Sequence, residues 1–268
     1  MIKPRRLCEH GPPHAKDTAM PQSHPVALIT GSARRIGAHV ARSLHAAGYD
    51  LALHARHSRD EMEALVTELD ALRPGSVFAQ YADLDNVAAP TALVNGAQAH
   101  FGRLDVLVNN ASTYFATPVG TVTPTQWDAL FASNARAPFF LAQAATPHLA
   151  ASPRDGGGAI VNIVDIYAER PLPRHPVYCM AKAALAMMTR SLALELGPRV
   201  RVNGIAPGNI LWSDNPVKAE TLDTVRSRTA LGRQGSPDDI ARAVRFCLDS
   251  PYLTGQILAI DGGRTLHI

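Results

Sequence analysis

The chain has 268 residues, 46% of them hydrophobic and 18% charged, with a formal net charge of +3. That is enough apolar material for the core of one large domain or two small ones. The charge is low and no basic stripe is interleaved with aromatics, which argues against a nucleic-acid partner.

Cys8, Cys179 and Cys247 fall in no metal-ligand spacing and suit a reducing, cytoplasmic compartment. The apolar runs are strand-length, so no membrane span is expected. Residues 1–24 carry Lys3, Arg5, Arg6, several prolines and three histidines, without the apolar middle of a signal peptide. They are expected to form a flexible extension, with residues 25–268 as the folded domain and no metal site.

Residues 25–30 read as a first strand, followed by a turn from Gly31 to Gly37 and a helix ending near Gly48. A strand, a glycine turn and a helix N-terminus form an anion cradle, because the first helical N–H groups point outward along a favourable dipole. Arg35 stands where a middle glycine is often found, and a guanidinium there can lie beside a pyrophosphate. Residues 50–54 form the second strand of a βαβ unit. Its end carries Arg56, His57 and Ser58, with no carboxylate before Asp60. Two possible cations and a hydroxyl suit a 2′-phosphate, so NADPH is expected over NADH. A solvated loop is the other reading of Arg56.

A helix over residues 59–72 and a strand over 76–81 lead to Asp83 and Leu84. Asp83 can accept from an adenine amino group or cap the helix starting near Val87. Residues 105–108 form a fourth strand that runs into Asn109, Asn110, Ala111 and Ser112, polar groups at the carboxyl end where ligands sit. Asn109 and Asn110 can also serve backbone groups of the turn. Tyr114 and Phe115 follow, either as core or with one ring covering a flat substrate. A helix over residues 125–135 is interrupted between Asn134 and Pro138, then continues over 139–149. Asn134 there marks either a kink with accessible backbone or an exposed helical asparagine.

Residues 159–164 read as a buried strand ending at Asp165, and a proline-rich loop leads to a helix carrying Tyr178 and Lys182. A spacing of four stacks the two side chains on one helical face. A lysine ammonium there is expected to lower the phenol's pKa and let it exchange a proton. A sixth strand over residues 200–206 exits through Pro207 and Gly208. Residues 210–235 read as an irregular lid, Pro237 opens a helix, and residues 256–261 close the sheet. This alternation predicts an α/β fold: a Rossmann-like, doubly wound parallel sheet in a single domain.

These motifs resemble the short-chain dehydrogenase/reductase family over most of residues 25–263: Thr30-Gly31 to Gly37, Asn109-Asn110-Ala111, Asn134, Tyr178 with Lys182, Pro207-Gly208 and Asp261-Gly262-Gly263. The resemblance implies that Tyr178 donates a proton, Lys182 holds the nicotinamide ribose, and Asn134 supports a proton relay. It also implies a homotetramer. The family ordinarily has serine where Asp165 stands. A carboxylate and a ketone oxygen are both acceptors, so Asp165 suits ring nitrogens and amino groups better.

The pteridine and dihydromonapterin reductases resemble the chain in these departures. That likeness implies NADPH contacts from Gly31, Arg34, Arg35, Ile36, Gly37, Arg56, His57, Ser58, Asp83, Leu84, Asn110, Ala111, Ser112, Lys182, Pro207 and Gly208. A pterin would meet Arg35, Ser112, Tyr114, Asp165 and Tyr178, with Tyr114 stacked on it. The reaction implied is reduction of a dihydropterin to its tetrahydro form, with oxidised pterin or dihydrofolate as further substrates. A carbonyl or 3-oxoacyl reductase and a non-catalytic NADPH sensor are the alternatives.

Overall fold

The computed structural model describes residues 24–210 and 219–267. The expected N-terminal extension, except His24, and residues 211–218 of the expected lid lie outside the described residues.

Every strand is parallel to its neighbours. Val26–Ile29 (β1) is buried throughout, as are Val106–Asn109 (β4), Gly158–Ile163 (β5) and Val200–Pro207 (β6). Helices cover both faces of such a sheet, which is why these strands read as continuous apolar runs and not as alternations. Asp50–Ala55 (β2), Val77–Tyr81 (β3) and Ile257–Ile260 (β7) complete it. The order is β3-β2-β1-β4-β5-β6-β7. The chain builds outward from β1 to β3 and then returns to place β4 on the other side of β1. A crevice opens at that reversal, beyond the carboxyl ends of the strands.

One face of the sheet packs against Arg35–Ala46 (α1) and Arg59–Leu72 (α2), with Leu44, Leu53, Met62 and Val244 in its core. The opposite face carries Ala89–Phe101 (α3), with Leu28, Leu93, Leu107 and Leu141 fully or nearly buried. Thr123 and Gln126 form a reciprocal cap at the start of Pro124–Phe131 (α4). The next turn, Ala132–Arg136, is a π-helix, and Ala137–Ala150 (α5) resumes the α-helix. Pro138 has no N–H to give to the ladder, which accounts for the interruption at the expected place.

Pro176–Leu196 (α6) is a longer apolar stretch than the strand-length runs expected. It is 21 residues long, with a mean hydropathy of 1.2, and is apolar enough by composition to cross a membrane. It instead lies against β6 and carries the buried Lys182. Ala219–Ser227 (α7) also departs from expectation, because that stretch read as irregular. Pro237–Asp249 (α8) opens with Pro at its first turn and a Ser236–Asp239 capping box.

Candidate active site

The carboxyl ends of β1, β2, β4, β5 and β6 surround one cleft of about 510 Å³. Gly31 is tightly packed there, with φ +62 and its backbone against Ala111, where an added Cβ would come within 2.9 Å of the Ala111 Cα. A Cβ on Gly37 would stand 2.3 Å from the Gly31 carbonyl oxygen. These absences let the turn close at the head of α1, which fits a pyrophosphate. Arg35 adopts φ +53, the left-handed conformation glycine takes freely. For arginine this costs about 1–2 kcal/mol, and such strain concentrates at functional sites.

Several side chains hold the cradle. Asn110 Nδ2 donates to the carbonyls of Thr30 and Gly31, both at 2.9 Å. Thr30 Oγ1 accepts from the N–H groups of Asn110 and Ala111 at 3.0 Å. Asn110 therefore shapes the turn, as the backbone-serving reading allowed. His54 donates through Nε2 to the Ala82 carbonyl and accepts at Nδ1 from the Gly31 N–H at 3.3 Å. Burial lowers its pKa and favours this neutral form. Thr30 and His54 were absent from the expected site residues, although His54 is a buried polar group at a strand's carboxyl end.

Arg56, His57 and Ser58 line the cleft beyond β2. The strand end itself holds no carboxylate, yet the fold brings two there. Arg56 pairs with Asp83 at 2.8 Å and with Asp85 at 3.7 Å. Asp83 also accepts from the Asp85 N–H and does not cap α3, whose N-cap is Ala88. Arg34, Ile36, Leu84, Pro207 and Gly208 line the same cleft.

Asn134 is fully buried in the π-turn, which excludes an exposed helical asparagine. Its Nδ2 donates to the carbonyls of Thr113 and Leu130, both at 2.9 Å, and its Oδ1 accepts from Ser112 Oγ at 2.7 Å. Of the two aromatics after β4, Phe115 packs with Leu130 and Val177, whereas Tyr114 is 52% exposed. Tyr114 stacks on His175 at 4.8 Å and meets Tyr178 edge-on at 4.9 Å. His175 was not foreseen. It precedes α6, and only the fold carries it under a ring from another loop.

Asp165 Oδ2 accepts from the Tyr178 hydroxyl at 2.7 Å, and its Oδ1 from the Tyr167 N–H at 3.0 Å. Burial pushes this carboxyl's pKa up, against the N–H of Tyr167, the hydroxyl of Tyr178 and the charge of Lys182. The expected effect of Lys182 on the phenol is not seen. Burial, the Asp165 charge and the bond to it raise Tyr178 well above its ordinary value, against a lowering by Ser112. Lys182 Nζ instead donates to the Ile163 carbonyl at 2.9 Å, 5.8 Å from the centre of the Tyr178 ring. Complete burial draws its own pKa down to about 8.

A glycine cradle at the switch point, with a tyrosine, a lysine and a carboxylate facing the same cleft, defines a dinucleotide-dependent oxidoreductase. The family model described as enoyl-(acyl carrier protein) reductase matches residues 31–265. The chain belongs to the short-chain dehydrogenase/reductase family, which implies a nicotinamide cofactor. It is 38% identical to pteridine reductase 1 of Leishmania tarentolae, covering 90% of this chain and 96% of that one. It is equally 38% identical to a Streptomyces violaceoruber protein named for ketoacyl reductase 2 of the granaticin polyketide synthase, with the same coverage. Versicolorin reductase of Emericella nidulans is 32% identical, over 89% of this chain and 94% of that one.

Proposed function

We propose that the protein reduces a dihydropterin to the tetrahydropterin with NADPH, acting as a cytoplasmic homotetramer. The observation that carries this reading is the pairing of Asp165 with Tyr178 at 2.7 Å, which puts a carboxyl where a carbonyl-reducing site would need a donor. A pterin presents ring nitrogens and an amino group that a carboxyl can serve.

The glycine cradle and the head of α1 fit the NADPH pyrophosphate, Arg56, His57 and Ser58 its 2′-phosphate, and Asp83 and Leu84 its adenine. Lys182 is suited to the nicotinamide ribose. When bound, the cofactor supplies the hydride that adds to the carbon of the pterin C=N bond. The nitrogen of that bond takes one proton, which Asp165 delivers through water. Burial helps here, because a raised pKa keeps the carboxyl protonated at a higher pH than an ordinary one. For an oxidised pterin, Tyr178 is the direct donor. Tyr114, held against His175, offers a ring on which a flat heterocycle can stack. Exposed Trp127, Phe139, Phe140 and Met187 on the α4–α6 side support self-association.

The equal identity to a protein named as a ketoacyl reductase supports a second reading, reduction of a carbonyl. NADPH oxidation measured with dihydrobiopterin, dihydromonapterin, dihydrofolate and a panel of ketones separates the two. Turnover with a dihydropterin is expected. Turnover with ketones alone would overturn the pterin reading in favour of the second.

A further inference from the structure

Tyr114 is seated by residues at the head of α6. Its ring stacks on His175 at 4.8 Å, with 9° between the planes, and meets Tyr178 edge-on at 4.9 Å. The loop that carries Tyr114 is tied to the same place, because the Thr117 N–H donates to the Arg174 carbonyl at 2.7 Å. Residues 174 and 175 thus reach back to 117 and 114. Arg174 holds φ +67, the left-handed region that is costly for a residue with a Cβ, and strain of this kind gathers at functional sites. His175 occupies the N-cap position of α6, yet its side chain makes no cap bond, so helix capping does not account for it. Its Nδ1 lies 2.9 Å from the Pro173 carbonyl oxygen. A carbonyl only accepts, so Nδ1 carries a proton and the imidazole plane is pinned to its own loop. Tyr114 remains half-exposed with His175 against one face, which leaves ring surface open.

We propose that His175 is a positioning residue for Tyr114: its pinned imidazole holds the Tyr114 ring in one orientation, so that a flat substrate meets a preformed stacking surface beside Tyr178. The proposal rests on the reading of Tyr114 as the ring on which the substrate stacks. His175 need not touch the substrate, since it acts through the other face of Tyr114. A side chain ordered before binding loses little freedom when the substrate arrives, so more of the contact energy appears as affinity. Without the imidazole, Tyr114 returns to several staggered rotamers, and each binding event has to select one. His175 and Tyr178 lie within one turn at the head of α6, so the stacking surface and the phenol keep a fixed relation.

The test compares the dihydrobiopterin kinetics of His175→Asn, which has no ring, with those of His175→Phe, which keeps one, at saturating NADPH. His175→Asn is expected to raise KM about two- to tenfold, the scale for an aromatic pair or an ordered side chain, with kcat little changed. His175→Phe is expected to return KM to within about twofold of the wild type, because the bond to the Pro173 carbonyl is exposed and water can replace it. A merely structural role would lower the active fraction, and with it kcat, while leaving KM alone. In a Tyr114→Ala background, His175→Asn is expected to add nothing further. An unchanged KM in His175→Asn, or an equal rise with and without the Tyr114 ring, would overturn the proposal. A fluorinated tyrosine incorporated at position 114 alone supplies a readout that needs no substrate. The stacked imidazole displaces its fluorine resonance, and His175→Asn is expected to abolish that displacement. An identical resonance in the wild type and His175→Asn would also overturn the proposal. Absence of pterin turnover refutes the proposed reaction and leaves the positioning of Tyr114 to be decided by the fluorine signal, so the two readings fail separately.

Discussion

Tyr178 donates to Asp165 Oδ2 at 2.7 Å while Lys182, one turn along the same helix, donates to the Ile163 carbonyl at 2.9 Å. Phenol and ammonium share a helical face but have separate partners. Burial and, after it, the Asp165 carboxyl therefore hold the phenol's proton on. The ammonium is anchored to the backbone of β5, beside the strand end that presents Asp165.

Asp165→Asn is expected to lower dihydropterin turnover by about 10²–10⁴-fold, the range for loss of a general acid. NADPH affinity, measured by fluorescence titration, should stay unchanged if Asp165 serves the substrate as proposed. The pH profile carries the sign. Burial raises the Asp165 pKa, and its protonated form delivers the proton, so turnover falls as pH rises through that raised value. The limb should be missing from whatever activity Asp165→Asn retains. A variant with unaltered turnover and profile would remove Asp165 from the chemistry.

Lys182 gives a stability prediction. Its pKa is about 8 in the folded chain against an ordinary 10.5, so between those values the unfolded chain binds more protons. Stability contributed at this site therefore rises with pH across that window and is lowest below it. In urea denaturation of the unliganded protein, the wild type should gain on Lys182→Met from about pH 8 towards 10.5. A constant difference between the two chains would mean that the buried ammonium keeps an ordinary pKa.

Much of this was legible in the sequence for physical reasons. Strands buried on both faces leave unbroken apolar runs, and Gly31, Gly37 and Pro138 mark places where only a missing Cβ or a missing N–H will serve. The turn at Asn134 was visible because a poor helix former preceded a proline. Long-range pairings were not visible. Nothing local in Arg56 indicates that Asp83 and Asp85 arrive beside it from the end of β3. Lys182 seeks a backbone carbonyl, which no residue type advertises. The direction of the Tyr178 shift came from burial and then from Asp165, neither of which the spacing of four to Lys182 reveals.

Gly37→Ala tests the cradle. Its Cβ would stand 2.3 Å from the Gly31 carbonyl and 2.7 Å from Asn110 Nδ2, so the turn and the head of α1 must part. Overpacking of this kind costs about 1–3 kcal/mol, which shifts the melting temperature of a chain this size by roughly 2–4 °C per kcal/mol. NADPH binding should weaken more than stability does, since displaced N–H groups no longer converge on the phosphates. A variant that melts lower but binds NADPH normally would show that the cradle does not hold the pyrophosphate.

On the proposed NADPH reading, the cofactor preference should turn on the charge balance around Arg56. Its guanidinium is about half exposed and already lies 2.8 Å from Asp83 and 3.7 Å from Asp85. A 2′-phosphate brought to Arg56 gains from the cation and is repelled by both carboxylates, whereas a 2′-hydroxyl feels little of either. Arg56→Ala should therefore weaken NADPH binding and leave NADH nearly untouched. Asp85→Asn should act in the opposite direction, tightening NADPH by a few-fold, the scale of about 0.2–1 kcal/mol for exposed charge pairs. Both effects should shrink as salt is raised, because exposed charges are screened over about 8–10 Å at ordinary ionic strength. Titrations of the two variants with NADPH and NADH at low and high salt measure all four changes. Should Asp85→Asn instead weaken NADPH, the Asp85 carboxylate would be orienting Arg56 towards the phosphate. Equal responses of NADPH and NADH to Arg56→Ala would mean that the 2′-phosphate is held elsewhere.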